Sequence, residues 1–410
     1  MKKNLFFSML AMLSFATAFV ACSDDDDVPT VSESTLTIEA PMNLEQVVLS
    51  NLNATIVNVK NNKTYTFSGD QFTQNGNDFS LMLNNVEEGT YNVAASGHLD
   101  FLLNGIAGQK DFDLNSNGVS ISRKSPSVKL SVSSFTAQGG FVISEIFFTG
   151  TTTPEGEQYG NDQYMVITNN SDVTLYADSI AVLESEFLTT DKQAYDPDIM
   201  SEAFSVDAVY MIPGNGKSVA VEPGKQLVLA INAVNHKEAN ASSFDLSNAD
   251  FEFYDESSNP NFTDPDGTAP NLDKWYCYTA TVFGFHNRGF HSYAIARMHE
   301  TKENWLENYA YTAAYTWTFN EYTFDMTTDT YKVPNSWILD GVNLSVESDW
   351  QWNVLDASID KSWTYCGKVD RDKTRYNKSV IRKTDANGKY VDTNDSANDF
   401  EAEAVPSFLK

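Results

Sequence analysis

The sequence predicts an all-β protein made of two β-sandwich domains, the second enlarged by insertions. Three observations predict it. Apolar residues alternate or run in short segments, and Gly, Asn and Asp turns recur roughly every ten positions. No segment holds a 3.6-residue apolar period for long, so helix is expected only in short insertions. The 410 residues, 41% hydrophobic and 13% aromatic, supply a core for about two domains rather than a disordered chain.

The first elements are not part of that core. Lys2 and Lys3 precede an apolar run from Leu5 to Val20, broken only by Ser8, Ser14 and Thr17. The run is too short and too weakly flanked for a stable membrane span and reads as a cleaved signal over residues 1–21. Ala21 followed by Cys22 looks like a lipoprotein cut, which makes Cys22 the acylated first residue; Phe19 stands where such cuts more often carry leucine. Ser23, Asp24, Asp25, Asp26 and Asp27 resemble the acidic export tag of Bacteroidetes surface lipoproteins. Residues 22–34 are then a polar tether. The expected location is the outer membrane, facing outward, with lipid as the anchor because no second apolar run approaches the length of a span.

From Thr35 the pattern becomes strand-like. Thr35–Glu39 alternates, and the short runs Val47–Leu49, Ala54–Val59 and Thr64–Phe67 follow, the last two parted by Asn61-Asn62-Lys63. Phe79–Leu83 leads to Val86-Glu87-Glu88-Gly89-Thr90-Tyr91-Asn92-Val93. That stretch resembles a strand of carboxypeptidase regulatory-like and related transthyretin-type sandwiches, with Gly89 expected at a turn and Tyr91 in the core. Ser127–Val132 closes a first domain over residues 35–133, read as a spacer. Ser133 to Gly140 is the expected seam.

The second domain, residues 140–408, opens with the nearly continuous apolar run Phe141–Phe148, as a buried strand does. Asn161-Asp162-Gln163-Tyr164-Met165-Val166-Ile167-Thr168-Asn169-Asn170-Ser171-Asp172 follows, then the apolar stretch Leu175–Leu183. "I-S-E-I", "D-x-Y-x-x-I-x-N-x-S" and this stretch resemble the opening of a lamin-tail-like immunoglobulin sandwich, in which Asn-x-Ser is a hairpin turn that suits asparagine's tolerance of positive φ. The glutamate usual between those landmarks is missing, replaced by Met165-Val166-Ile167, so no role tied to it carries over. Val221–Ala230, Phe244–Asp250, Lys332–Val342 and the ending Ser379–Lys383 through Asn394–Phe400 to Pro406 follow the same order. Together they resemble an uncharacterised Bacteroidetes surface lipoprotein family with a lamin-tail-like core and large insertions (domain of unknown function 4876). The resemblance implies a sandwich and a compartment. It implies no reaction.

Charge and cysteine narrow the chemistry. The formal net charge of −29 repels nucleic acid and anionic lipid; it keeps the chain soluble or draws cations and basic partners. Beyond Cys22 only Cys277 and Cys366 remain. They are either joined in an export-compatible disulfide or buried apart, and no zinc spacing exists. His286, His291 and His299 have offsets that fit no metal motif and read as strand-edge histidines.

Two constellations remain as candidate sites, both in the stretch from Asp255 to Tyr322. Asp264, Asp266 and Asp273 offer hard oxygens to calcium, although the bidentate glutamate of a calcium loop is replaced by Trp275 and Asp-Pro-Asp-Gly is also a plain turn. Trp275, Tyr276, Trp305 and Tyr309 are the candidate ligand-binding aromatics, forming either an exposed platform for a glycan or protein, or sandwich core. No nucleophile elbow, phosphate loop or marked carboxylate pair is present. The expected function is therefore a non-catalytic binding or accessory module of an uptake or attachment system, with an outer-membrane transporter, glycan or protein as partner. A structural or adhesive surface protein is the alternative, and a hydrolase the third.

Overall fold

The structure, a computed structural model, describes residues 30–31, 34–42, 44–103, 105–123, 127–132 and 140–409. The expected acylation site Cys22, the tag Ser23–Asp27 and most of the expected seam lie outside these residues. The described chain is all-β as expected. Its α-helices are two short pieces, Lys302–Asn308 and Ser396–Asp399.

Residues 34–132 build two facing sheets. One runs in the order Ser127–Ser131, Ser34–Glu39, Asp78–Leu83, Thr73–Asn75. The other includes Ile106–Ile121, Gly89–Leu103, Glu45–Asn58 and Thr64–Ser68. Period-two alternation does what it should: Phe79, Leu81 and Leu83, then Tyr91, Val93 and Ala95, face the shared core. Val47–Leu49 and Ala54–Val59, expected as separate strands, fall on the one strand Glu45–Asn58, with Val59 just past its end. Its ladder slips near Gln46 and Asn51, which adopt φ of 49° and 54°. Two left-handed residues thus bend one strand where the sequence reads as a break. Gly89 does not turn the chain either. It starts a strand, and an added Cβ would lie 2.7 Å from Asn58 Nδ2, so close approach requires it. Tyr91 is in the core as expected, its hydroxyl donating to the Glu87 carbonyl at 2.7 Å.

Residues 140–409 build a second, larger pair of sheets. The six-stranded sheet runs Phe251–Glu252, Gln226–Ala230, Tyr164–Asn169, Phe141–Phe147, Ser379–Arg382, Phe400–Ala404. The seven-stranded sheet runs Ala310–Phe319, Tyr322–Pro334, Ala203–Met211, Ile180–Leu188, His291–Arg297, Ile338–Val342, with Asp273–Cys277 also on Ala203–Met211. The central strands of this second sheet, Ile180–Leu188, Ala203–Met211 and His291–Arg297, are covered on both faces. Val182, Ala208 and Tyr293 point into the core between the sheets. Ala181, Leu183 and Ala294 point to an outer cluster. Covering the outer face is what the Lys302–Asn308 helix and its flanks do.

The landmark residues that carry the family resemblance serve as clamps in this fold. Buried Asn169 donates to the carbonyls of Val173 and Val221 at 2.8 and 2.7 Å and accepts from the Ser171 amide and hydroxyl at 3.0 and 2.7 Å. That fourfold satisfaction, not a positive φ, is why asparagine stands there. Glu145 is buried and accepts from the Tyr164 hydroxyl at 2.7 Å and the Ser407 amide at 3.1 Å, which ties down the C-terminus. Buried Arg382 pairs with Asp340 and donates to the Ile143 carbonyl at 2.8 Å, linking the two sheets.

The two sandwiches share a sheet. The stretch Leu175–Leu183 divides at Ser179, whose φ is 63°. Thr174–Tyr176 then pairs antiparallel with Ile106–Ile121 of the N-terminal sandwich, and Ala220–Val221 adds to its edge. Close packing seals this seam. A Cβ on Gly108 would lie 2.6 Å from the Phe101 ring and 3.2 Å from Leu175.

Candidate functional site

The aromatic residues chosen from sequence are sandwich core, the second of the two readings, which corrects their assignment as candidate ligand contacts. Trp275 is 7% exposed and Trp305 is 0% exposed, their ring centroids 6.0 Å apart. Trp305 stacks on Tyr331 at 4.9 Å and donates from Nε1 to the Lys332 carbonyl at 3.1 Å. Tyr276 packs on Tyr331 at 4.5 Å, and Tyr309 on Trp337 at 5.3 Å. All four fill the outer cluster because a sheet this wide needs apolar cover on its second face. The capped helix holds them there, with the Thr301 side chain accepting from the Asn304 amide.

The calcium trio does not converge. Asp264 accepts from the Asp255 amide at 2.8 Å, and burial pushes its carboxyl up to about 7. Asp266 accepts from the Asn271 side chain at 3.2 Å. Asp273 is exposed on a strand, opposite Met211. Asp264, Asp266 and Asp273 therefore do not form one ligand set. Cys277 and Cys366 are both free thiols. His299 lies beside Trp337, whereas His286 and His291 are neighbours at 5.4 Å.

A second aromatic surface joins Tyr311, Tyr315 and Trp317, inside the Asp255–Tyr322 stretch, to Phe187, Tyr195 and Trp352 outside it. The loop after Ile180–Leu188 returns along the base of the Ala310–Phe319/Tyr322–Pro334 hairpin. It is pinned there by the Asp196 amide to the Ala314 carbonyl at 2.8 Å and by the reverse bond at 2.9 Å. Trp352 arrives from a distant segment, held by its Nε1 on the Leu188 carbonyl at 2.8 Å. Between them opens a groove of about 540 Å³ lined by Phe187, Lys192, Tyr195, Asp198, Tyr311 and Trp352, among others. Tyr195 is its centre. Its ring stacks on Phe187 at 3.8 Å, lies nearly parallel to Trp352 at 5.9 Å and meets the edge of Tyr315 at 5.3 Å. Lys192 sits over the Trp352 ring at 5.9 Å. The Tyr311 hydroxyl and Ser205 Oγ are 2.5 Å apart at the wall.

The groove continues onto the hairpin. A two-residue turn at Asn320-Glu321, with Asn320 at φ 52°, closes it in the register Trp317 opposite Phe324 and Tyr315 opposite Met326. Cross-strand partners and residues two apart share a face. Tyr311, Tyr315, Trp317, Phe324 and Met326 therefore form one strip from the groove outward. At its far end Trp317, Phe324 and Met326 are exposed, with the Trp317 and Phe324 rings 5.7 Å apart. The opposite face carries Thr312, Thr316, Asp325 and Asp329. Sequence alternation at Tyr315–Phe319 signalled a half-buried strand. It did not show that the buried half belongs only to the hairpin base.

The comparisons with known proteins fit this architecture. The solved crystal structure of a DUF4876 family protein from Bacteroides thetaiotaomicron, at 2.50 Å resolution, superposes with a TM-score of 0.56 and 21% identity. The superposition covers 91% of this chain and 96% of that one, and shares the fold. A comparison with curated proteins gave no match. The family model described as protein of unknown function (DUF4876) matches residues 222–407. Over this matched stretch, which holds Arg382, the hairpin and Trp352, the chain carries a DUF4876 domain.

Proposed function

We propose that this chain is a non-catalytic binding module, held on the outer-membrane surface by acyl chains on Cys22, and that its groove takes a glycan. The observation that carries the reading is the half-buried stack of Phe187, Tyr195 and Trp352 that lines the groove. Its volume lies within the usual range for small-ligand sites. Flat rings pack on the C–H faces of a sugar, while Gln193, Asp198 and Lys192 at the rim meet its hydroxyls. The acidic tether lifts the two sandwiches off the membrane, and the hairpin strip extends the platform along a longer chain. This is the accessory role that an uptake or attachment system requires. The exposed Trp317–Phe324 pair favours a second reading, in which the hairpin docks on a protein.

A glycan array probed with the Cys22→Ser chain tests the site, and surface proteolysis of intact cells tests the display. Binding should fall at least about tenfold in Tyr195→Ala and Trp352→Ala, the loss of one to two good ring contacts. An array without hits, or hits that ignore both substitutions, rejects the groove. Loss of partner binding confined to Trp317→Ser and Phe324→Ser supports protein docking instead. Protection of the wild-type chain from protease in intact cells places it in the periplasm and rejects surface display.

A further inference from the structure

The seven-stranded sheet breaks its regularity around one residue, Glu184. On one side Ser185 pairs with Val206 and Glu184 with Ala208, so Asp207 is an extra residue, a β-bulge. Packing agrees: Val206 and Val209 both point to the outer cluster, a three-residue spacing that strict alternation forbids. The bulge therefore puts Asp207 and Ala208 together on the inner face. On the other side Glu184 pairs with Tyr293, and the next pair is Leu188 with His291, three residues facing one. The two irregularities converge. Glu184, Asp207 and His291 each bring one donor atom within 4.8 Å of the others.

These side chains do not sit as a hydrophobic sheet would place them. Glu184 is 3% exposed and Asp207 5% exposed. The Tyr293 hydroxyl donates to Glu184 Oε2 at 2.5 Å, yet buried Asp207 Oδ1 has no hydrogen-bond partner. Two adjacent carboxylates in such a place are costly unless a cation or a proton lies between them. His291 Nδ1 is 2.6 Å from the Ser185 carbonyl, so it carries the proton and donates there, which leaves the Nε2 lone pair available. That backbone bond is the support a metal-ligating histidine usually has.

We infer that Glu184, Asp207 and His291 form a binding site for a divalent transition-metal ion of the zinc class. One imidazole and two carboxylates suit zinc, whereas calcium demands six or more oxygens. Bonds of about 2.1 Å place tetrahedral donors roughly 3.4 Å apart, so the trio closes by a small side-chain adjustment. Three protein ligands leave a fourth position for water, reached past the partly exposed His291. The ion joins three neighbouring strands, Ile180–Leu188, Ala203–Met211 and His291–Arg297, at the place where their ladders part.

Metal analysis of the full chain, stripped with chelator and then titrated with Zn²⁺, tests this. One equivalent should bind. Co²⁺ in its place should give the visible absorption of a four-coordinate site. Asp207→Asn and His291→Gln, both near in shape, should weaken Zn²⁺ binding by at least about tenfold while far-ultraviolet circular dichroism stays unchanged. Cys277→Ser, on the strand residue opposite Ala208, should bind like the parent. No uptake of Zn²⁺, or uptake indifferent to Asp207→Asn, overturns the site and leaves a carboxyl pair sharing a proton. Loss only in Cys277→Ser overturns it as well, because the ligand would then be the thiol.

Discussion

Replacing Trp305 by alanine separates a scaffold role from a platform role for the aromatic stretch. Trp305 is fully buried, stacked on Tyr331 and facing Trp275. Truncating such a side chain costs about 3–5 kcal/mol in lost transfer and residual cavity. The Lys332 carbonyl also loses its indole N–H donor, a further cost of about 1 kcal/mol. At about 2–4 °C per kcal/mol for a unit of this size, the melting transition of the C-terminal sandwich should drop by roughly 8–24 °C. Trp305→Phe keeps most of the volume and loses the hydrogen bond, so its drop should be about 2–6 °C. Differential scanning calorimetry and urea denaturation followed by circular dichroism read both. An exposed tryptophan would cost under about 0.5 kcal/mol. A Trp305→Ala transition within about 2 °C of the parent would therefore refute the buried assignment and return the residue to the list of ligand contacts.

Two further outcomes follow from particular groups. Burial works to raise the Asp178 carboxyl, but the amides of Val219, Ser218 and Gly216 donate to it and together hold it below the ordinary value. A folded value below the unfolded one stabilises above about pH 4, and that stability disappears as pH falls through the folded value. Asp178→Asn should thus cost about 2–3 kcal/mol at pH 7 by urea midpoint, a gap that narrows below pH 4; a gap independent of pH would contradict it. Burial also pushes the Cys277 thiol up to about 11 and raises Cys366 further. In the Cys22→Ser chain a thiol reagent should count two reactive groups after denaturation and react only slowly before it, and a count of zero would mean a disulfide.

How far the sequence reached depended on the range of the interactions involved. Period two in Phe79–Leu83 and the apolar run Phe141–Phe148 are local, and they correspond to the strands Asp78–Leu83 and Phe141–Phe147. The order of Asn169-x-Ser171, Arg382 and the terminal segment was legible as a family resemblance. The bonds that explain those residues were not, because Asn169 reaches Val221 and Arg382 reaches Asp340 and Ile143 from far along the chain.

The candidate sites were the least legible part. Trp275 and Trp305 look like Tyr195 and Trp352 in a sequence: large aromatics among polar neighbours. Composition determined an aromatic-rich, acidic chain, and local alternation and turn residues an all-β one. Tertiary structure decided which aromatic faces meet water. A doubly covered sheet consumed Trp275 and Trp305, while Tyr195 and Trp352, 157 positions apart, were left to line one groove. It likewise decided that Asp207 would share a face with Glu184, because a single extra residue in a ladder reverses the side a side chain takes, and no pattern within one strand reveals the register of its partner.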